Sequence, residues 1–296
     1  MNFNHTKVEK TTIKQALREG VIFLRDASPT FGLDSEIMLA EILKKPREYL
    51  FAHNDETITL AKVKKYHLWL TQRRKGIPIP YIVGHKYFLD HKFNVDKYVL
   101  IPRPETEALV EECIKITKTD SPPFIIADIG TGSGVIAISL AIAIVDAKII
   151  ATDKSSTALR IASRNAKKYR VAKRVTFFAS DLLNEIPQEL LPTIIVANLP
   201  YVTSDELKHA SEKQDTLGLT FEPQGALDGG PDGLAVFRRF FAQISRFPQI
   251  KNNLQYLLLE HNPKQHHTLW QIAHEFLPEF KPSQITPFVS RWDKVR

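Results

Sequence analysis

Residues 124–143 read "FIIADIGTGSGVIAISLAIA". A short apolar run breaks into a loop carrying Gly130, Gly132 and Gly134, and an apolar run of helical length follows at once. Downstream, "KIIATD" (148–153), "STALRIASRNAKKY" (156–169), "VTFFASD" (175–181) and "TIIVANLPY" (193–201) continue the alternation. Short, wholly apolar strands separated by amphipathic helices predict a parallel sheet covered on both faces, a doubly wound, Rossmann-like α/β domain. Ligands of such sheets sit at the carboxyl ends of the strands, so the functional residues are sought there.

Upstream the pattern changes. Ile13, Leu17, Val21 and Leu24 recur at helical spacing, Asp34 or Ser35 can cap a second helix running to Leu43, and Pro46 suits the start of a third. Thr59 can cap a fourth helix, which "KGIPIP" stops near Gly76. The expected organisation is a small helical domain over 1–80 with no strand signal, a β-hairpin linker over 81–104 turning around Asp90-His91, and an α/β domain over 105–296 opening with a helix from Glu105 to Ile116.

Composition limits the function. The 296 residues are 43% hydrophobic and 25% charged, enough for a folded chain with real cores. The N-terminal "MNFNHTKVEK" has no apolar core for a secretion signal, and the run Val135–Val145 falls short of the roughly 20 residues that cross a bilayer, so a cytoplasmic location is expected. Cys113, the only cysteine, reads as a buried apolar residue, and no spacing suggests a metal site. The formal charge of +7 favours an acidic partner only through long-range attraction. The runs Lys62-Lys64-Lys65, Arg73-Arg74-Lys75 and Lys167-Lys168 read as solvated helix faces.

The strand ends carry the chemistry. Glycines let the loop turn tightly and approach a ligand closely. Asp153 ends the second strand, where it can accept hydrogen bonds from both hydroxyls of a ribose, and Asp181 ends the third, near the place of an adenine amino group; each could also be an ordinary helix cap. A dinucleotide would bring phosphates, which Asp128 ahead of the loop would repel, and would want the spacing G-x-G-x-x-G. An adenosine with a cationic amino-acid tail fits better, which describes S-adenosylmethionine.

Asn198-Leu199-Pro200-Tyr201 ends the fourth strand, where packing alone does not ask for these residue types. The Asn198 carboxamide oxygen and the Leu199 carbonyl can each accept a hydrogen from an amide or amine NH₂, turning its lone pair toward a methyl donor. Pro200 stiffens the turn, and the Tyr201 ring offers a flat face to a planar acceptor.

Together these stretches resemble a class I S-adenosylmethionine-dependent methyltransferase. With "RRKGIPIPYIVG" (73–84), "VLIPRPETEALVE" (99–111) and "FEPQGALDGGPDGL" (221–234), the chain resembles the HemK/PrmC family of protein-(glutamine-N5) methyltransferases. The "RPETE" segment, Arg103 to Glu107, is the most distinctive of these. The resemblance implies that Asp128, Gly130, Thr131, Gly132, Ser133, Gly134, Asp153, Asp181, Leu182 and Asn198 serve the cofactor. It implies that Asn198 through Tyr201 hold the substrate amide, with Arg103, Glu105, Glu222 and Pro223 at the substrate pocket. It further implies that the substrate is the glutamine of the Gly-Gly-Gln motif in peptide chain release factors, gripped in part by the helical domain. No membrane and no obligatory nucleic acid enter, ribosome proximity is compatible, and a monomer is the default.

Two departures stand out. Leu199 occupies a position where the family usually has proline, and "LEHNPKQ" (259–265) puts His261 and Asn262 where it has small residues. With His266 and His267, His261 is expected at the surface or at a helix start. The competing readings are a methyltransferase acting on a ribosomal protein glutamine or an exocyclic amine of ribosomal RNA, and a non-catalytic adapter. The intact glycine loop and Asn198 speak against the adapter.

Overall fold

The apolar runs lie side by side in one sheet. The computed structural model describes residues 11–120, 123–212 and 216–295, so the N-terminal decapeptide lies outside them. The chain divides into two compact units, one running to Gly84 and adding His209–Phe221, the other comprising His85–Lys208 and Glu222–Arg296. The division falls at Gly84, and the hairpin groups with the second unit instead of standing as a separate linker.

The first unit contains β1 (Thr11–Thr12), α1 (Ile13–Leu24), α2 (Phe31–Leu43), α3 (Arg47–Ala52), β2 (Thr57–Ile58), α4 (Leu60–Arg74) and α5 (Ile79–Val83). Thr12 and Gln15 close a reciprocal capping box on α1, and Ile13, Ala16, Phe23 and Leu24 turn its apolar face into a core with Met38, Leu39, Tyr66 and Leu70. Three expectations are corrected here. Thr11 and Thr12 pair antiparallel with Ile58 and Thr57, a strand pair too short to give a sequence signal.

Asp34 does not cap α2, which starts at Phe31. It lies buried in the first turn, where it accepts from Ser28 Oγ (2.6 Å), Thr30 Oγ1 (3.0 Å) and Arg73 Nε (2.6 Å). Arg73 is therefore drawn inward and departs from the solvated face expected of this run, whereas Arg74 and Lys75 stay exposed, Arg74 stacking over Phe23 while donating to its carbonyl.

The second unit opens with β3 (His85–Phe88) and β4 (His91–Asn94), whose Phe88↔His91 register leaves Leu89-Asp90 as a two-residue loop. Both loop residues have positive φ, 45° and 60°, the backbone that matches strand twist in tight hairpins. The turn lies one residue earlier than expected. Phe88 and Phe93 are buried with the sheet's core, and Asn165 bonds both backbone groups of Asn94 (2.9 and 3.1 Å), so the hairpin is packed structure and not a bare connector.

Then follow α6 (Glu107–Thr119), β5 (Ile125–Ile129), α7 (Val135–Ala143), β6 (Lys148–Asp153), α8 (Ser156–Lys168), β7 (Val175–Ala179), β8 (Ile194–Ala197), α9 (Ser204–Lys208), α10 (Ala235–Arg246), α11 (Pro248–Asn253), β9 (Tyr256–Glu260), α12 (His266–Phe276), β10 (Phe280–Thr286) and β11 (Val289–Lys294). The seven strands run in the order β10-β11-β9-β8-β5-β6-β7. The five strands from β9 to β7 are parallel as expected, but β11 is antiparallel to β9, and β10 to β11, so the sheet is mixed.

Alternate strand residues feed two cores. Ile126, Ile149, Ile194, Val196 and Leu258 join Leu109, Val110 and Cys113 of α6 and the apolar α7. Ala127, Ile150, Ile195, Leu257 and Leu259 join Phe237, Phe240 and Phe241 of α10 and Leu269 of α12. Chain order leaves β5 in one direction to β6 and β7, and returns on its other side as β8. The crevice at that reversal is where a doubly wound sheet binds its ligand.

Candidate active site

Register delivers the site. Ile129 is opposite Thr152 and Ala197, Ala197 is opposite Leu259, and Asp153 is opposite Ala179. One step further along these strands, Gly130, Asn198 and Glu260 come abreast at the carboxyl edge, with Asp153 beside them.

An open cleft lies there. Of the residues singled out from sequence, Gly130, Gly132, Asp153, Asp181, Leu182, Asn198, Leu199, Pro200 and Pro223 line it. The others do not line it.

Asp128 lies wholly buried under the loop, accepting from Thr131 Oγ1 (2.6 Å) and the Ala137 N–H (3.1 Å) through Oδ2. It ties the loop to the start of α7, and its Oδ1 has no hydrogen-bond partner among the described residues. Asp153 holds the other side of the loop: Oδ2 accepts from the Gly132 N–H (2.9 Å) and Oδ1 from the Ser155 N–H (2.8 Å). Burial raises the Asp153 carboxyl above the usual range, and those two N–H groups oppose the shift.

The glycines divide the labour. Gly132 has φ +56° and nothing within 4 Å of where a β-carbon would stand. At Gly134, φ +83°, a β-carbon would come within 2.9 Å of Ile138 Cδ1 and 3.0 Å of Ala162 Cβ, so this residue serves the packing of α7 on α8. Ser133, buried beside it, accepts from Asn165 Nδ2 through its carbonyl (2.9 Å).

Burial drives the Asp128 carboxyl up to about 7, against the pull of Thr131 and Ala137. An acid whose folded pKa is raised destabilises as it ionises: its stabilising contribution is whole below the unfolded value near 3.8 and is lost as pH rises through about 7. Asp128→Asn escapes this cost. In melts across pH, its stability relative to wild type is expected to rise between about pH 4 and 7, by up to about 4 kcal/mol. A difference independent of pH would contradict the assignment.

At the end of β8, Asn198 Nδ2 donates to Thr106 Oγ1 (3.0 Å), which leaves Oδ1 to the cleft. Tyr201 turns from the cleft and donates its O–H to Glu260 Oε1 (3.0 Å); burial, then the Glu260 charge, raises its phenol well above the ordinary value. Leu199 is only 2% exposed and packs in the α10–α12 core, so it contributes side-chain packing that proline would not. Arg103 and Glu222 pair with each other, Glu222 also accepting from the Ile101 N–H (2.9 Å), which explains two distant sequence stretches as one strut beside the cleft. Glu105 is exposed.

The stretch 227–230 braces the turn after β8. The Val202 N–H donates to the Leu227 carbonyl (3.0 Å), Gly229 to Val202 (2.8 Å) and Ser204 to Gly230 (3.0 Å). At the other end of the cleft Asp181 is ion-paired with Arg239 of α10.

The comparisons with known proteins bear on these elements. A family model described as the PrmC N-terminal domain matches residues 15–84, and one described as ribosomal protein L11 methyltransferase matches residues 106–208. The release factor glutamine methyltransferase of Coxiella burnetii is 36% identical over 84% of this chain and 86% of its own length. This chain belongs to the release factor glutamine methyltransferase family. The family's protein from Moorella thermoacetica is likewise 36% identical, over 77% of this chain and 78% of its own. Among solved structures, the hMettl16 catalytic domain in complex with MAT2A 3'UTR hairpin 1 is alike in fold alone, with a TM-score of 0.53 at 12% identity over 87% of this chain and 90% of that one.

Several cleft residues of this family member escape sequence reasoning. Tyr98, Val99 and Leu100 form one wall from a coil segment, and Lys154 and Arg239 stand at the rim. Glu260 had a signal, an acid closing the otherwise apolar "YLLLE". His261 is a correction: it is wholly buried, its Nε2 against Ser290 Oγ (2.8 Å) and its Nδ1 against the Asn262 carbonyl (3.0 Å), and burial lowers its pKa. His266 does begin α12, with His267 after it. No helix among the described residues is long and apolar enough to cross a membrane.

Proposed function

We propose that this protein methylates the side-chain amide nitrogen of the glutamine in the Gly-Gly-Gln motif of peptide chain release factors, using S-adenosylmethionine. The observation that carries the reading is Asn198 in the cleft, abreast of the glycine loop, its nitrogen tied to Thr106 and its oxygen free. The names of the curated relatives support the substrate.

The cleft suits the cofactor. Gly132 offers space that a side chain would fill, and the unpartnered Asp128 Oδ1 sits below the loop as a counter-charge for a cationic tail. The Gly130–Gly134 loop holds that tail, with Thr131 and Ser133 keeping the loop's shape. Asp153 accepts from the ribose hydroxyls, and Asp181 and Leu182 meet the adenine. When bound, the cofactor supplies a methyl group on a cationic sulfonium.

The remaining work is orientation. An amide nitrogen is a weak nucleophile because its lone pair is delocalised. Asn198 Oδ1 and the Leu199 carbonyl accept its two hydrogens, drawing it from planarity and turning the lone pair inward for in-line attack. Pro200 fixes the turn, and Pro223 and the Arg103–Glu222 strut shape the approach, with Glu105 at its exposed edge; the Tyr201 ring, turned toward Glu260, braces the turn from behind instead of offering the acceptor a flat face.

The helical unit serves protein capture. Of the nine large apolar residues exposed among the described residues, five belong to it, Ile22, Leu33, Phe51, Leu60 and Leu68, and they are its candidate contacts with a protein substrate. Phe51→Asp and Leu68→Asp, each at a position 57% exposed, are expected to raise the KM for the release factor by roughly 5–30-fold. Cofactor affinity should not move. Unchanged KM in both would remove this unit from substrate binding. The protein is read as a cytoplasmic monomer acting beside the ribosome.

A further inference from the structure

Glu260 is wholly buried at the end of β9, abreast of Asn198. No step above uses it. An ionised carboxylate only accepts hydrogen bonds, and Tyr201, Thr106 and Asn198 beside it have protons to give. Tyr201 O–H donates to Oε1 at 3.0 Å, and Thr106 and Asn198 also stabilise the charged form. Oε2 is buried with no partner at ordinary hydrogen-bonding distance and angle among the described residues. The Thr106 hydroxyl already receives the Asn198 Nδ2–H, so its own proton is free for the carboxylate.

We propose that Glu260 is a positioning residue that sets the direction of this chain of hydrogen bonds and thereby decides which end of the Asn198 amide faces the acceptor. With Glu260 as acceptor, Thr106 gives its proton to the carboxylate and takes one from Asn198 Nδ2. Asn198 must then present Oδ1 to the cleft, the only orientation that accepts a hydrogen from the substrate. A residue at position 260 that also donates, such as glutamine, no longer fixes the direction: Thr106 can accept from it and give its proton to Asn198 Oδ1, turning the NH₂ group to the cleft. The same carboxylate holds the Tyr201 ring. The inference rests on the acceptor role of Asn198 proposed above.

The carboxyl is raised by burial to about 7, with Glu105 adding to the shift and Thr106, Tyr201 and Asn198 opposing it. The titratable groups facing it are Tyr201 and Glu105, with Arg103 acting on Tyr201. Since the ionised form directs the chain, turnover should fall as pH drops below about 7.

Glu260→Gln, which keeps size but replaces an acceptor-only group by one that both donates and accepts, tests the idea. Its turnover on a Gly-Gly-Gln protein should fall by about 10-fold or more, approaching the loss typical of removing one preorganised polar contact, with KM and cofactor affinity little changed. The acidic limb of the pH profile should vanish. Thr106→Val should reproduce the loss, and Thr106→Ser should keep most of the turnover.

A second readout needs no substrate. In protein labelled with ¹⁵N-asparagine, the side-chain amide identified by its absence in Asn198→Ala should exchange slowly in wild type and rapidly in Glu260→Gln. Wild-type turnover in Glu260→Gln, or an unchanged Asn198 amide, overturns the proposal. A wild type that methylates no Gly-Gly-Gln protein defeats the acceptor reading alone, and the amide spectrum still decides the relay.

Discussion

Asn198→Ala is expected to bind S-adenosylmethionine nearly as wild type does and to lose about 10²–10³ in turnover, the scale of one preorganised polar contact made in the transition state. The position explains the split. Asn198 stands beside Gly130 by register and its Nδ2 is held by Thr106, so on the proposed reading it borders the cofactor while its Oδ1 is given to the acceptor. Asn198→Asp keeps an accepting oxygen and adds charge near the sulfonium, which should tighten cofactor binding while disturbing the acceptor. Calorimetry beside single-turnover methylation separates the effects. Normal turnover in Asn198→Ala would reduce the strand-end tetrapeptide to a turn.

Gly132→Val should weaken cofactor binding by about 10²-fold or more. A β-branched residue at φ +56° is strained by on the order of 1–3 kcal/mol, and its methyls would occupy the open space at the loop. Asp153→Ala acts on the same ligand differently. It removes the ribose acceptor and frees the Gly132 and Ser155 N–H groups, for a loss of roughly 10–100-fold, the worth of one or two charge-assisted hydrogen bonds. Wild-type affinity in both would remove the cofactor from this cleft.

The centre of the fold was legible because it is written in short-range patterns. Wholly apolar strands, a glycine loop and acids at strand ends need no distant partner to be read. Asn198 was legible for the same reason, as a polar residue closing an apolar strand. What stayed hidden depends on residues far apart in sequence. Asp34 reads as a cap until Arg73 reaches it from α4. His261 reads as exposed until Ser290 covers it from β11, a strand masked by polar residues. β10 has a mostly exposed face and contains Pro282, which an edge strand tolerates, so its pattern carries no clear alternation. Glu260 was visible as a charge, but its meaning came only from β9 lying beside β8. Tyr98 and Arg239 carry no local mark at all; the cleft is assembled around them.

Methyl transfer to the release factor tests the central claim most directly. Wild-type protein is incubated with a release factor and S-adenosylmethionine carrying a labelled methyl group, and the factor is digested and sequenced by mass spectrometry. The label should appear on the side-chain nitrogen of the Gly-Gly-Gln glutamine alone, and the Asn198→Ala protein should transfer little in the same time. Label elsewhere in the factor, label on ribosomal RNA or a ribosomal protein in its place, or none with cofactor bound, would contradict the account.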